Sequence, residues 1–363
     1  MRIDFVITEL FVGGAERCLT QLAVGLAQRG EKVRVASIGS LPQLGQTAFV
    51  EQLRDANIEL FSADCNRATQ VLRARARLRD WMKADRADIV QTMLFHANVI
   101  GAYAASAAGI KRCVGGVRVA EPSRWRAFVE SRAMKRMSAV VCVSDSVREF
   151  VKHTHRAQTP LHVIGNHIDL AMVDSVPVPD DATIPTLLFV GRLHAQKGLD
   201  ILFQALPSLL ETHKEMHVSI VGDGPLRDWV EASAFALHPE RVAVHGWCAD
   251  ALARIKSCRL LVLPSRFEGM PNVVLEAMAA GKPVAVTRVE GVKELLREGT
   301  AEQSCEVEDA EALGRLIDRL WTDQTLANSL GARNRRLIAE HHALSSMLDA
   351  YQNLYRELLS KSF

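Results

Sequence analysis

Two stretches of the chain repeat one grammar: a short apolar strand, a glycine-rich turn and an amphipathic helix. The first reads Ile3-Asp4-Phe5-Val6-Ile7, then Gly13-Gly14, then a helix expected over 15–29 that Gly30 closes. Glycine suits that closing position because it takes left-handed backbone angles without steric cost. The second reads Thr186-Leu187-Leu188-Phe189-Val190-Gly191, then a loop to Lys197-Gly198, then a helix expected over 199–211. Further strands are expected at 32–38, 89–92, 112–117 and 139–143, and again at 218–221, 242–245, 260–263 and 283–286. Several are almost continuously apolar, and helical stretches separate them. Strands buried on both faces read this way, so the pattern predicts parallel sheets layered by helices. The expected fold class is α/β, with two doubly wound, Rossmann-like domains, and a length of 363 residues accommodates two.

The boundary is expected between 166 and 185. The run from Asp174 to Pro185 carries Pro177, Pro179 and Pro185 and has no helical period, which suits a linker. The domains are taken as 1–168 and 169–344, followed by 345–363, an amphipathic terminal helix expected over 345–359. Periodicity does not say which domain that helix joins. In open parallel sheets ligands bind beyond the C-terminal ends of the strands. The informative loops are therefore those after Ile7, Thr92, Val117, Val190, Val221, His245 and Leu263.

Composition removes several function classes. No two of the seven cysteines have Cys-x-x-Cys spacing, and no His lies at zinc-ligand spacing from them, so they read as buried, reduced thiols of a cytosolic protein. The opening Met1-Arg2-Ile3-Asp4 is too polar for a signal peptide. The longest weakly apolar run, 99–110, is too short to span a bilayer. The expectation is a cytoplasmic chain, soluble or peripheral at the inner face of the membrane. The net charge of +2 hides an asymmetry: residues 1–170 hold 24 Lys+Arg against 16 Asp+Glu, and the remainder hold 20 against 26. A basic first half is expected to meet something anionic.

The strongest chemical signal follows the strand at 260–263: Glu268-Gly269-Met270-Pro271-Asn272, then Glu276, then Gly281-Lys282-Pro283. Pro271 suits the first turn of a helix, expected over 272–280, whose N–H groups attract phosphate. Glu268 stands just before that helix and Glu276 about two turns in. Carboxylates there can accept hydrogen bonds from the vicinal hydroxyls of ribose or hexose; the plainer alternative is two helix-surface charges. Arg192 and Lys197 share the loop after Gly191, where two cations can neutralise a diphosphate or simply be solvated. Gly222-Asp223-Gly224-Pro225 is a tight turn that architecture alone would explain. Gly13-Gly14 with Glu16 is not the G-x-G-x-x-G of nicotinamide-binding domains, which counts against a dehydrogenase.

Taken together, Gly13-Gly14-Ala15-Glu16, Gly191-Arg192 with Lys197-Gly198, Gly222-Asp223-Gly224-Pro225 and Glu268-Gly269 with Glu276, Gly281 and Pro283 resemble the retaining family-4 glycosyltransferases of the GT-B fold, over nearly the whole chain. The resemblance implies two Rossmann-like domains facing each other across a cleft. It implies a nucleotide-sugar held by the C-terminal domain, an acceptor held by the N-terminal domain and a last helix crossing back to the latter. It assigns Arg192 and Lys197 to the donor diphosphate and Glu276 to the ribose. Glu268 would face the transferred sugar, the Gly269, Met270, Pro271 and Asn272 backbone the sugar or phosphate, and Gly13 and Gly14 the phosphates. Gly191 and Gly222 would belong to the donor loops, and backbone near His245, Gly246 and Trp247 would hold the base. Glu268, Arg192, Lys197 and His96 are the expected catalytic set.

The chain departs from the family on the acceptor side. The His-x-His after the strand at 89–92 is replaced by Gln91 and Met93, and a later His by Arg118. His96 remains an acceptor-side candidate beside Arg118. Gly165-Asn166-His167 stands where relatives carry Pro-Asn-Gly. No Asp-x-Asp lies in an expected cleft loop, so neither metal nor cofactor is expected, the nucleotide-sugar being a substrate. The base is read as uridine, with guanosine as the alternative, and the acceptor as a glycan or a lipid-linked glycan of cell-envelope synthesis.

Two basic sets stand apart from this site. One runs from Leu72 to Arg79 with Trp81 and Lys83; the other holds Arg118, Arg124, Arg126, Arg132, Lys135 and Arg136 around Trp125 and Phe128. They suit docking on an anionic membrane, or two solvated helix faces. No nucleic-acid recognition motif accompanies them. The rival readings are a nucleotide-sugar epimerase or phosphorylase of the same architecture, and a non-catalytic partner subunit.

Overall fold

In the computed structural model, which describes residues 1–43, 46–178 and 184–361, the chain divides into two compact units. One comprises Met1–Asn166 with Ser345–Phe363, the other His167–Leu344.

The first unit is built on strands β1 (Arg2–Ile7), β2 (Lys32–Ser37), β3 (Glu59–Ser62), β4 (Ile89–Met93), β5 (Cys113–Val117), β6 (Ala139–Cys142) and β7 (Leu161–Val163). They pair in the order β3-β2-β1-β4-β5-β6-β7, every pair parallel. The second unit holds β8 (Thr186–Val190), β9 (His217–Val221), β10 (Val242–Val244), β11 (Leu260–Leu263), β12 (Val284–Thr287) and β13 (Ser304–Cys305). Their order is β10-β9-β8-β11-β12-β13, again all parallel. All residues of β4, β5, β11 and β12 are buried, which is why these strands carry no polar alternation. Strand order reverses between β1 and β4 in one unit and between β8 and β11 in the other. Loops leaving such a switch point diverge and open a crevice.

The short edge strands β3, β7 and β13 escape the sequence pattern because each is only two to four residues long. The expected linker also begins differently. Residues Leu170–Ser175 form a helix, capped by Asp169, whose carboxylate accepts from Ala171 N at 2.9 Å, and anchored by buried Val173. Pro179, Asp180 and Asp181 of that linker lie outside the described residues.

The terminal helix, Leu344–Ser360, packs on the first unit. Its buried stripe is Met347, Leu348, Tyr351, Leu354, Tyr355 and Leu358, the spacing of one helical face. Tyr355 donates to Gln91 Oε1 at 2.9 Å, and Arg29 donates to Asp349 at 2.6 Å and Gln352 at 2.8 Å. Gln91 is thus committed to holding this helix. Truncating a wholly buried aromatic such as Tyr351 or Tyr355 costs roughly 3–5 kcal/mol.

Candidate functional site

The second unit gathers five loops at the C-terminal ends of its strands, and close backbone crossings lock them together. Gly198 ends the loop after β8 with φ +62°, and a Cβ there would lie 2.0 Å from the Pro264 carbonyl oxygen after β11. Gly222, with φ +145°, leaves 1.9 Å between such a Cβ and the Gly191 oxygen. No side chain fits at either crossing, so both glycines are demanded by proximity as well as angle. Gly222 N donates to Gly246 O at 2.7 Å, tying in the loop after β10, and Leu193 N donates to Asp223 O at 2.9 Å.

On this frame the side chains converge around Glu268. Its Oε1 accepts from Lys197 Nζ at 2.5 Å and from Ser265 Oγ at 2.7 Å. Glu268 is only 7% exposed, so its charge is stabilised by a cation and a hydroxyl rather than by water. Gln196 Nε2 donates to Phe267 O at 2.8 Å, and Arg266 N donates to Gln196 O at 2.8 Å, stitching the same two loops. Arg266 forks onto Asp200 at 2.9 and 2.7 Å. That contact holds the Asp200 carboxyl below its ordinary range and raises the guanidinium above its own.

Gly269, Met270 and Pro271 are buried and lead into the helix Asn272–Ala279, whose N-terminus has no side-chain cap. Glu276 is buried at 7% exposure on this helix, not on its solvent face. Arg192 is exposed and has no hydrogen bond or ion pair among the described residues. The two expected diphosphate cations therefore differ: Lys197 is engaged by Glu268, whereas Arg192 is uncommitted. Gly246 has φ +67°, beside exposed Trp247 and His245; partial desolvation of the ring foremost, with the Arg254 charge, lowers the His245 pKa.

Ser265 and Glu290 were missed by pattern. Ser265 stands three residues before Glu268 in the strongest motif but was not singled out there; Glu290 follows β12 and accepts the Glu268 N–H at 3.2 Å.

In the first unit Gly13 caps the helix Gly14–Gln28, and buried Glu16 folds its carboxylate back onto that turn. A Cβ on Gly13 would meet Glu16 Oε2 at 2.3 Å. Burial raises the Glu16 pKa to about 7, against its own backbone N–H and the Arg118 charge, which lower it. Arg118 is buried and donates to Asn166 Oδ1, so it is a bound residue and not a solvated member of the basic set. His96 lies exposed in the first turn of Phe95–Ala107, its ring 5.1 Å from that of Phe95. Although its outer edge meets solvent, the ring is partly desolvated, and this foremost, with the Arg126 charge, lowers its pKa. Met93 is wholly buried.

Among the described residues no group of three or more His, Cys, Asp and Glu is placed to hold a metal ion, and no helix is long and apolar enough to cross a membrane.

The chain belongs to the glycosyltransferases of family 4 and group 1. Residues 12–172 match the model described as Glycosyltransferase Family 4, and residues 184–323 match that described as Glycosyl transferases group 1. The alpha-D-kanosaminyltransferase of Streptomyces kanamyceticus is 27% identical over 66% of this chain and 65% of its own length. A lipopolysaccharide core biosynthesis glycosyltransferase of Rhizobium meliloti is 29% identical over 50% and 53%. The chain thus spans between half and two thirds of these curated relatives. Anabaena HepE, crystallised with UDP and glucose, superposes with a TM-score of 0.84 at 21% identity, covering 98% of this chain and 100% of that one. The fold is GT-B.

Proposed function

We propose that the chain is a metal-independent, retaining glycosyltransferase that moves a sugar from a nucleotide-diphosphate sugar, UDP-linked by first choice, to a glycan or lipid-linked acceptor of the cell envelope. The observation that carries this reading is the Lys197–Glu268 pair, locked at the switch point in the loop that also holds uncommitted Arg192, next to the N-terminus of the helix Asn272–Ala279. Breaking a glycosyl–phosphate bond leaves negative charge on the diphosphate and positive charge on the ring. Preorganised cations aimed at the leaving group supply the largest share of such catalysis. Arg192 and Lys197 take that role, Glu276 accepts the ribose hydroxyls and Glu268 faces the sugar. Gly13 and Gly14 are assigned to the phosphates, and His96 to the acceptor side. Retention follows if the acceptor attacks from the leaving-group face, with the diphosphate taking its proton.

Calorimetry with UDP- and GDP-sugars tests this. Glu276→Ala should weaken donor binding by about 1.5–3 kcal/mol, the worth of a hydrogen bond to a charged group. Undiminished affinity in that variant would remove the ribose assignment, and donor epimerisation or phosphorolysis without acceptor would replace the reaction.

A specific surface supports a membrane-borne acceptor. Helices Val71–Ala84 and Arg124–Met134 flank Tyr103, with Arg75 at 5.9 Å and Arg136 at 4.2 Å from its ring. They expose Leu72, Trp125 and Phe128 by 76%, 62% and 59%, large apolar side chains set among arginines. Not every cation of the two sets is spare, since Arg77 pairs with Asp64, Arg79 with Asp80 and Arg126 with Glu121. Co-sedimentation with anionic, but not neutral, vesicles is expected; equal recovery with both refutes the surface.

A further inference from the structure

The turn presenting Glu268 is held from a second side. Besides accepting the Glu268 N–H, the loop after β12 crosses the turn at Gly291, which has φ +75° and would place a Cβ 2.3 Å from the Gly269 oxygen. Glu290 therefore stands beside the residues assigned to the transferred sugar. The two carboxylates are not equivalent. Glu268 is matched by Lys197 and Ser265. Glu290 is half-buried, uses only Oε2 on the Glu268 N–H, and makes no ion pair among the described residues. Arg288, the cation two residues before it, is taken by Glu306. The Lys197–Glu268 pair is neutral as a pair, so Glu290 adds an uncompensated negative charge at the turn.

A carboxylate so placed has an oxygen left to accept from a hydroxyl or an ammonium group. It repels a second carboxylate brought into the same partly desolvated space. We propose that Glu290 is a specificity-determining residue of the donor site, admitting neutral hexoses and amino sugars and rejecting uronic acids. This rests on the donor-site reading above and deepens it.

Titration calorimetry on the full chain first measures UDP and GDP, then compares the matching hexose and uronate: UDP-glucose with UDP-glucuronate, or GDP-mannose with GDP-mannuronate. The wild type should bind the hexose at least about tenfold tighter, a modest like-charge penalty. Glu290→Gln, which keeps an acceptor for the Glu268 N–H, should lose most of that preference while binding the free nucleotide as before. Glu290→Ala is measured alongside, so that either variant melting like the wild type carries the comparison. Equal affinity of the wild type for hexose and uronate overturns the proposal, as does a full preference in a folded variant. Failure of both nucleotides to bind is a separate result: it overturns the donor-site reading and this proposal with it.

Discussion

Replacing Gly198 by Ala separates two costs that usually arrive together. The residue has φ +62° and ψ +32°, a left-handed conformation that charges an L-residue roughly 1–2 kcal/mol. The added Cβ would also sit 2.0 Å from the Pro264 carbonyl oxygen, a backbone atom that cannot rotate aside. Restoring ordinary contact requires the loops after β8 and β11 to part by more than about 1 Å, an overpacking strain of roughly 1–3 kcal/mol. The sum is about 2–5 kcal/mol. Gly281 supplies the control within the same unit: its φ is +70°, yet a Cβ there meets nothing nearer than 3.9 Å. Gly281→Ala should therefore carry only the conformational cost. At roughly 2–4 °C per kcal/mol for a unit of this size, Gly198→Ala should lower the melting temperature of the second unit by roughly 4–20 °C and Gly281→Ala by roughly 2–8 °C, the former always the larger. Calorimetric melting of both variants is the assay. Nucleotide-sugar affinity should fall only in Gly198→Ala, since Lys197 adjoins the displaced residue. If both variants melt alike, the Gly198–Pro264 contact does not set the spacing of the loops, and the account of how they are locked fails.

Lys197→Ala should abolish turnover even at saturating donor and destabilise the second unit by about 1–3 kcal/mol, because buried Glu268 loses its cation. Adding Glu268→Gln should restore the melting temperature without restoring turnover; restored turnover would strike Lys197 from the catalytic assignment. Tyr355→Phe leaves the buried Gln91 oxygen without its donor and should cost about 1–3 kcal/mol in denaturant unfolding of the first unit, where an unchanged midpoint would show that water replaces it. For Glu16, burial raises the folded pKa from 4.5 to about 7, so the protonated form is the one the fold prefers. Its stabilising contribution is complete below pH 4.5 and is lost as pH climbs to about 7, a swing of about 3 kcal/mol. Asp4 titrates in the same direction, to about 6, so the Glu16→Gln difference must be followed across pH; a constant difference contradicts the burial argument.

The parallel sheets were legible because apolar runs such as Leu260–Leu263 have no polar face to hide. Glu268, Lys197 and the glycine turns were legible because each follows a strand and so must lie at one end of a sheet. What stayed hidden depends on distances across the fold. Ser265 and Glu290 matter only because other loops bring their oxygens and hydrogens to Glu268, and no local spacing encodes that. Arg118 reads as one more cation in a basic run, but burial and Asn166 take it out of the surface set. Glu276 reads equally well as surface or site until its helix is seen buried. The linker reading missed the helix Leu170–Ser175 because its nucleus is a single capping carboxylate and one buried valine.

The return of the helix Leu344–Ser360 to the first unit has a consequence for synthesis. Residues 167–344 form a continuous piece inserted into a discontinuous one, entered and left at neighbouring points where Ile168 and Ala343 bridge. A ribosome making this chain finishes every residue of the second unit before it delivers Tyr351 and Tyr355 to the first. Until then the sheet residue Gln91 and the helix face at Cys18 and Gly25, against which Met347 and Leu348 pack, wait uncovered. The unit encoded first is therefore the one completed last. A fragment ending at Asn166 should need a chaperone or the missing helix added as a separate peptide, whereas 167–344 has all its own parts.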